Sequence, residues 1–271
     1  MSTIPKPVPP LPRATTFDRH LDTWAGFDWL GKGWRDLFRA PLSSFYYGLA
    51  LFVISWLVLS AIFALEYDYI LFPALSGFMI IGPLLAIGMY EKSRRLALGE
   101  PITLSSVFFV KPASGGQILY TGVLLCVLMV LWMRAAVLLY ALFYGMQPFS
   151  GIENIHSTLF LTPRGNALLL VGTFVGGLFA AFSFAISVFA IPMQLAERTD
   201  ALTAMGTSLA LVWYNLRTMI VWGTIVFCLF ILGAATAFLG FIIIFPLLGH
   251  ATWHAYLAVR QPGNLPYPNT R

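Results

Sequence analysis

The chain has 271 residues, of which 59% are hydrophobic and only 10% are charged, whereas about 25% of the residues of ordinary soluble domains are charged. Such a composition excludes a soluble globular fold, because a water-soluble protein could not bury that much apolar surface. The net charge of +5 does not indicate nucleic-acid binding, because the basic residues lie in loops beside apolar segments, as they do in membrane proteins. The two cysteines, Cys126 and Cys228, both lie inside apolar runs, which excludes a disulfide framework and a cysteine zinc site.

The N-terminal part of the chain precedes any spanning segment. Residues 1–26 are rich in proline and polar side chains and predict a flexible cytoplasmic tail. Residues 27–40 predict an amphipathic helix, which is too short to cross a bilayer and which we expect to lie in the headgroup layer. Its apolar face would consist of Phe27, Leu30, Trp34, Leu37 and Phe38. Its basic side chains, including Lys32 and Arg35, would contact lipid headgroups.

Six apolar segments follow, each near the ~20 residues that a ~30 Å hydrocarbon core requires. They lie at 44–65, 69–90, 118–144, 167–194, 218–237 and 238–260. The third and fourth segments are long enough to tilt or to protrude. We therefore predict an all-α, polytopic membrane helix bundle over residues 27–260, with interfacial amphipathic helices and a short cytoplasmic tail at 261–271.

The distribution of lysine and arginine predicts the orientation of the bundle. Fourteen of these residues lie on one side, in the N-terminal region before the first span, in the loops at 91–117 and 195–217, and from Arg260 to the end of the chain, whereas one, Arg164, lies on the other side of the membrane. Basic residues accumulate on the cytoplasmic side of membrane proteins. The sequence therefore predicts a multi-pass protein of the cell inner membrane with both termini in the cytoplasm.

The chain also shows an internal repeat. Three times, a short amphipathic or semi-polar segment precedes a pair of spans, and in each pair the second span carries a proline: Pro83, Pro192 and Pro246. A proline in a helix leaves a carbonyl one turn earlier without its hydrogen bond, and in lipid this carbonyl needs a polar partner. The pattern predicts kinked helices around a common interior, although proline is also simply frequent in membrane helices.

Arg134 is the one fully charged side chain well inside a predicted span. A charge at the bilayer centre costs at least ~2.5–3.5 kcal/mol, so such a residue usually faces the protein interior and has a partner. Counted from the outer ends of their spans, Arg134 and His250 lie at similar depths. One hypothesis is therefore a solute pocket of Arg134, His250 and the carbonyls freed near Pro246, suited to an anionic group. The alternative is a structural role, with Arg134 tied to carbonyls or to Glu66 or Asp68.

His250 and His254 are four residues apart on one helical face, a spacing that also occurs at metal sites. A hydrolytic zinc helix would read HExxH, but the glutamate that acts as its base is absent here. Haem or metal binding through this pair stays open as an alternative, beside ordinary hydrogen bonds between packed helices. We predict no resident metal or cofactor.

Glu91 ends the second predicted span beside a basic cluster of Lys92, Arg94 and Arg95. The pattern is typical of a solvated cluster at the membrane surface, where the basic side chains bind anionic lipid headgroups.

Several stretches resemble a family of uncharacterised bacterial integral membrane proteins with six spans. They are GFMIIGPLLAIGMYEKSRRLALGEP at 77–101, LWMRAAVLLYALFYG at 131–145, the region 184–223, and the distinctive PLLGHATWHAY at 246–256. Some relatives are labelled as similar to cytochrome c oxidase subunits, but this chain lacks the six-histidine haem and copper set of a catalytic subunit. The resemblance implies location and architecture, and it brings no activity that could be assigned to particular residues.

No phosphate loop, dinucleotide fingerprint, nucleophile elbow or pair of intramembrane carboxylates is present in the sequence. The leading hypothesis is therefore a non-enzymatic accessory, assembly or organising component of the membrane, including one linked to a respiratory complex. The alternatives are an anion carrier or channel at Arg134 and His250, and a haem or metal protein. The expected partners are the lipid bilayer and a membrane protein or a second copy of this chain, and not nucleic acid.

Overall fold

A computed structural model describes residues 17–145, 151 and 154–260, and the regular structure within those ranges is helical. The helices in chain order are α1 (Ala25–Phe38), α2 (Pro41–Ala64), α3 (Leu71–Leu85), α4 (Ile87–Leu98), α5 (Leu104–Phe108), α6 (Gly115–Tyr144), α7 (Ile155–Phe160), α8 (Pro163–Ser187), α9 (Ala190–Ala196), α10 (Ala201–Tyr214), α11 (Leu216–Ala235) and α12 (Phe241–Val259).

Six segments of the described chain are long and apolar enough to cross a membrane, which confirms the predicted all-α polytopic bundle. They are α2, α3 with α4, α6, α8 with α9, α11, and α12. The spans alternate in direction, so one side holds the start of α2 and the end of α12. We call this the terminal side and the other the opposite side. The second span continues to Leu98, beyond the predicted end at 90.

The predicted repeat matches the order of the helices. A short helix (α1, α5 or α10) precedes each pair of spans. The second span of the first pair is broken at Ala86 and that of the second pair at 188–189, whereas α12 runs unbroken through Pro246. The break at Val188 has a direct cause, because the ring of Pro192 would clash with the carbonyl four residues earlier.

Helix α12 lies at the centre of the terminal half of the bundle. It packs against α1, α2, α4 and α11, and its buried residues lie all around its axis, including Phe245, Trp253 and Tyr256. A helix that is apolar all round is expected to be buried in this way. With α4 and α9 it forms the main hydrophobic core, to which Met89 and Phe189 contribute fully buried side chains.

Helix α1 is amphipathic as predicted, but its apolar face is divided between two environments. Gly26, Trp29, Gly33 and Leu37 are buried, and Trp29 packs edge-on against Trp222 of α11. The side chains of Phe27, Trp34 and Phe38, which belong to the predicted apolar face, are exposed on the surface of the protein. The helix is therefore built into the bundle and does not merely lie on the membrane surface.

Part of the predicted N-terminal tail also packs on the bundle. The side-chain nitrogen of Asn215 donates to the carbonyl of Phe17, and the Asn215 side-chain oxygen accepts from the backbone N–H of Arg19, both at 2.9 Å. The side chain of Arg19 donates to the carbonyl of Val259 at 2.7 Å. The predicted tail boundary at residue 26 thus falls inside a docked segment. Residues 1–16 and the predicted tail at 261–271 lie outside the described ranges.

The third and fourth spans extend past the others on the opposite side. Helix α6 has 30 residues and is about 45 Å long, whereas α11 has 20 residues and is about 30 Å long. On the terminal side, backbone N–H groups of Ala113 and Ser114 donate to carbonyls at the end of α9, so the extra length lies at the other end. There the Trp132 indole donates to the carbonyl of Pro73, in the first turn of α3, at 3.1 Å. We call residues 133–144, α7 and residues 163–175 the projecting hairpin.

Candidate functional site

A buried polar cluster joins four helices near the terminal side, with His250 at its centre. The His250 ring is fully buried, and both of its nitrogens have partners. Nε2 lies 3.1 Å from the Ser44 hydroxyl on α2, and Nδ1 lies 2.8 Å from the Ser93 hydroxyl on α4. Helix α12 therefore carries a polar side chain into the protein interior, where only hydrogen bonds can offset the loss of water.

The two ends of the cluster carry opposite charges. The Lys92 ammonium donates to the Ser44 hydroxyl at 2.7 Å and to the Ala40 carbonyl at 3.1 Å. At the other end, the Ser93 hydroxyl donates to the Asp36 carboxylate at 2.7 Å. Paired charges and complete hydrogen bonding are the conditions under which charged groups are tolerated in an interior.

These contacts determine the direction of every hydrogen bond. Because the single hydroxyl proton of Ser93 goes to Asp36, Nδ1 of His250 must donate to Ser93, and Nε2 must accept from Ser44. The result is a directed chain from Lys92 through Ser44, His250 and Ser93 to Asp36. Bonds aligned in this way polarise and strengthen one another.

Asp36 connects the chain to the second histidine. Nε2 of His254 lies 2.8 Å from the same carboxylate oxygen that accepts from Ser93. Burial raises the pKa of Asp36, but hydrogen bonds from His254 and Ser93 outweigh it, so the pKa lies below its ordinary value. The carboxylate is therefore ionised at neutral pH. His250 and His254, singled out in the sequence, thus belong to one cluster, although they touch it at different points.

The structure corrects the assignment of Lys92 to lipid headgroups. Lys92 is fully buried and points to α2, and Glu91 is also buried. Arg94 and Arg95 fold back onto the Glu91 carboxylate, with shortest nitrogen–oxygen distances of 2.7 and 2.6 Å. A buried carboxylate needs such partners. Arg94 and Arg95 therefore bond Glu91 and are not simply surrounded by water. The headgroup contacts of Arg94 and Arg95 remain predictions for the exposed parts of their side chains.

The other predicted headgroup residues lie on the exposed side of α1. Lys32 forms an ion pair of 2.6 Å with Asp28, and Arg35 is exposed. Their positions are compatible with headgroup contact, which stays a prediction.

The structure does not bring Arg134 to His250, so the solute pocket predicted from them is not formed. Arg134 is exposed on α6, and the described residues give it neither a hydrogen bond nor an ion pair. His250 faces α2 and α4 instead. Equal depth was a poor guide because it says nothing about which way each side chain points around its helix. Pro246 is buried in α12, and its freed carbonyl, that of Ile242, packs against Gly48 of α2.

Metal or haem ligation by His250 would require its present hydrogen bonds to break. Nδ1 carries the proton that it donates to Ser93, and the lone pair of Nε2 accepts the proton of Ser44. Among the residues that the structure describes, no group of three His, Cys, Asp or Glu side chains is placed to hold a metal ion.

The architecture defines the class of protein: a polytopic helical membrane protein in which a buried polar cluster ties four helices together. The model of a family described as predicted integral membrane proteins (DUF2189) matches residues 71–196, which include the second, third and fourth spans. This match confirms the resemblance seen in the sequence. Neither the curated proteins nor the solved structures include a significant match to this chain.

Proposed function

We propose that this protein is a non-catalytic component of the cell inner membrane, with both termini in the cytoplasm, that binds another integral membrane protein. The excess of basic residues on the terminal side supports the orientation. The polar cluster supports a non-catalytic role, because Ser44, Lys92, Ser93 and His250 are buried and bonded to one another. Together with Asp36 they tie α1, α2, α4 and α12 to one another, as a structural cluster would.

The projecting hairpin is the observation that carries the proposal. Arg134 lies nineteen residues after the start of α6, about 28 Å along the helix, where a ~30 Å hydrocarbon core would end. The ten residues that follow it are mostly apolar. Leu138 and Leu142 are 69% and 77% exposed, and Leu170 on α8 is 75% exposed. If the hydrocarbon core ends at the level of Arg134, these side chains would lie in the aqueous phase, where exposed apolar patches mark protein interaction surfaces.

A membrane-protein partner would cover this surface. Arg134 would then face acidic side chains of the partner, or a phosphate group at the same depth in the membrane. A respiratory complex is the class of partner that the family resemblance suggests. The role would then be accessory, in assembly or organisation of that complex.

Substitutions at exposed apolar positions on the two sides test the proposal. Leu138→Glu combined with Leu142→Glu places charges on the projecting hairpin, and Phe109→Glu places one on the terminal side before the start of α6, where the side chain is equally exposed at 77%. Tagged proteins would be purified in mild detergent, and partners identified by mass spectrometry. We expect a defined membrane protein with the wild type and with Phe109→Glu, and its loss with the double variant.

Retention of the same partner by the double variant would contradict the role of the hairpin. Purification of the wild type alone in every mild detergent would contradict the proposed function itself. Melting curves of the three proteins show whether a lost partner reflects a lost fold.

A further inference from the structure

An elongated cavity of about 110 Å³ runs through the bundle between α3, α4, α8, α11 and α12. Along α12 its lining extends from Phe241 to Thr252, which is about 16 Å at 1.5 Å per residue. Along α11 it extends from Phe230 to Trp222. The cavity is therefore long, narrow and parallel to the spans.

The two ends of the cavity differ in chemistry. Towards the opposite side, Phe78 makes ring contacts with Phe230, Phe241 and Phe245, and these four side chains form an aromatic wall. Towards the terminal side, the lining includes the polar side chains of Tyr90, Ser183, Trp222 and Thr252. The lining contains no charged side chain and no histidine.

Three of the four side chains at the polar end have a hydrogen-bond donor without an acceptor, whereas the hydroxyl of Ser183 donates to the carbonyl of Ala180. The indole Nε1 of Trp222 is buried and has no partner. The hydroxyls of Tyr90 and Thr252, both on nearly buried residues, form no hydrogen bond with any part of the chain that the structure describes. Buried polar groups are nearly always satisfied in native proteins, so unpaired donors around one cavity indicate a guest that supplies acceptors.

We propose that this cavity binds a neutral, single-chain amphiphile whose head carries carbonyl or ether oxygens. The unpaired donors would bond those oxygens, the absence of charged lining residues excludes an ionic head, and the aromatic wall would surround the chain. Helices α8 and α11 flank the cavity without extensive mutual contact, so the guest would enter between them from the bilayer. The proposal does not depend on the partner proposed above.

Water alone would not fill the cavity in the same way. A buried water needs two to four polar partners, which the terminal end offers and the aromatic wall does not. An amphiphile satisfies both ends at once.

Binding of three probes to the purified protein tests this proposal. A short-chain quinone and a fatty-acid methyl ester both present carbonyl oxygens and represent two sources of the same chemistry, and decane presents none. We expect at least one carbonyl probe to bind about tenfold or more tightly than decane. Trp222→Phe and Thr252→Val should each weaken that binding about two- to tenfold, the usual effect of one lost hydrogen bond.

Trp253→Phe is the matched control, because the Trp253 indole is also buried without a partner but does not line the cavity. The proposal is overturned if no carbonyl probe binds more tightly than decane. It is equally overturned if Trp222→Phe and Thr252→Val bind like wild type while keeping its melting temperature, or if Trp253→Phe weakens binding as much as Trp222→Phe. Partner capture by the projecting hairpin is measured separately and should be the same in all three variants.

Discussion

His250 shows how one residue can set the arrangement of several helices. Its ring accepts a hydrogen bond from Ser44 of α2 and donates one to Ser93 of α4, and neither bond can be replaced by water in a fully buried site. The directed chain then ends in opposite charges, Lys92 and Asp36, which are too far apart for a direct ion pair but are connected through neutral groups. A buried polar cluster destabilises the fold when one of its groups lacks a partner, and it favours one particular arrangement of the helices when every group is paired.

Replacement of His250 therefore has a predictable cost. His250→Leu would leave the Ser44 hydroxyl without its acceptor and Ser93 without a donor, and each buried group left unpaired costs about 1–3 kcal/mol. We expect the free energy of unfolding to fall by about 2–4 kcal/mol, measured by denaturant titration in detergent micelles. His156→Leu, at an exposed position on α7, should change it by less than about 0.5 kcal/mol. Equal effects of the two substitutions would contradict the cluster.

The pKa of Asp36 predicts a dependence of stability on pH. Because this pKa is lower in the folded protein than its ordinary value of 3.8, Asp36 stabilises the fold above that value and loses its contribution as the pH falls through the lower, folded pKa. The wild type should therefore lose part of its stability below about pH 4, and Asp36→Asn should not lose that part. Asp28→Asn, which changes an exposed carboxylate, should follow the wild-type curve. Parallel curves for wild type and Asp36→Asn would refute the assignment.

Sequence alone identified His250 and His254 at this site but not their partners. Ser44 and Ser93 carry no sequence signal, because serine is common in membrane helices and only the packing of α2 and α4 brings these hydroxyls to the ring. Lys92 was misassigned because its neighbours Arg94 and Arg95 make the local pattern that of a membrane surface. Asp36 lies among other charged residues of α1. It is three residues from Gly33 and seven from Trp29, which places it on the same helical face, and this spacing could have marked it as buried.

Among the helices, α1 and α12 show what close packing requires. The two helices are in extensive contact, and Gly33 of α1 lies so near α12 that an added Cβ would be 2.7 Å from the backbone nitrogen of Ala251. Small residues permit this kind of approach in membrane bundles. The spans themselves were predictable from length and hydropathy. The division of the apolar face of α1 was not, because an apolar periodicity does not show whether the face contacts lipid or protein.

Two glycines on α1 give a paired test of that packing. Gly33→Ala should lower the free energy of unfolding by about 1–3 kcal/mol, the usual cost of overpacking. Gly31→Ala, where an added Cβ meets nothing within 4 Å, should raise it by up to about 1 kcal/mol through helix propensity. Thermal or denaturant unfolding in micelles measures both. If Gly33→Ala is as stable as Gly31→Ala, then α1 does not approach α12 as closely as described.

At the scale of the whole molecule, the three repeats place their second spans together and their charges on one side. Helices α4, α9 and α12 meet in the core of the terminal half, where Tyr256 of α12 also donates a hydrogen bond to Glu197, directly after α9. The buried polar cluster and the contacts between the second spans therefore lie on the terminal side. The exposed apolar surface of the projecting hairpin lies on the other side.

The proposed orientation predicts which positions can be labelled from outside the cell. Introduced as single cysteines into a chain with Cys126→Ala and Cys228→Ala, Arg164→Cys should react with a membrane-impermeant thiol reagent added to spheroplasts, and Lys111→Cys should not. Both side chains are exposed, so reactivity reports the side of the membrane and not burial. Lys111→Cys should react only after the membrane is permeabilised. The opposite pattern would place the termini outside. It would also show that the side with fourteen lysines and arginines had been translocated and not the side with one, against the charge bias that sets membrane topology.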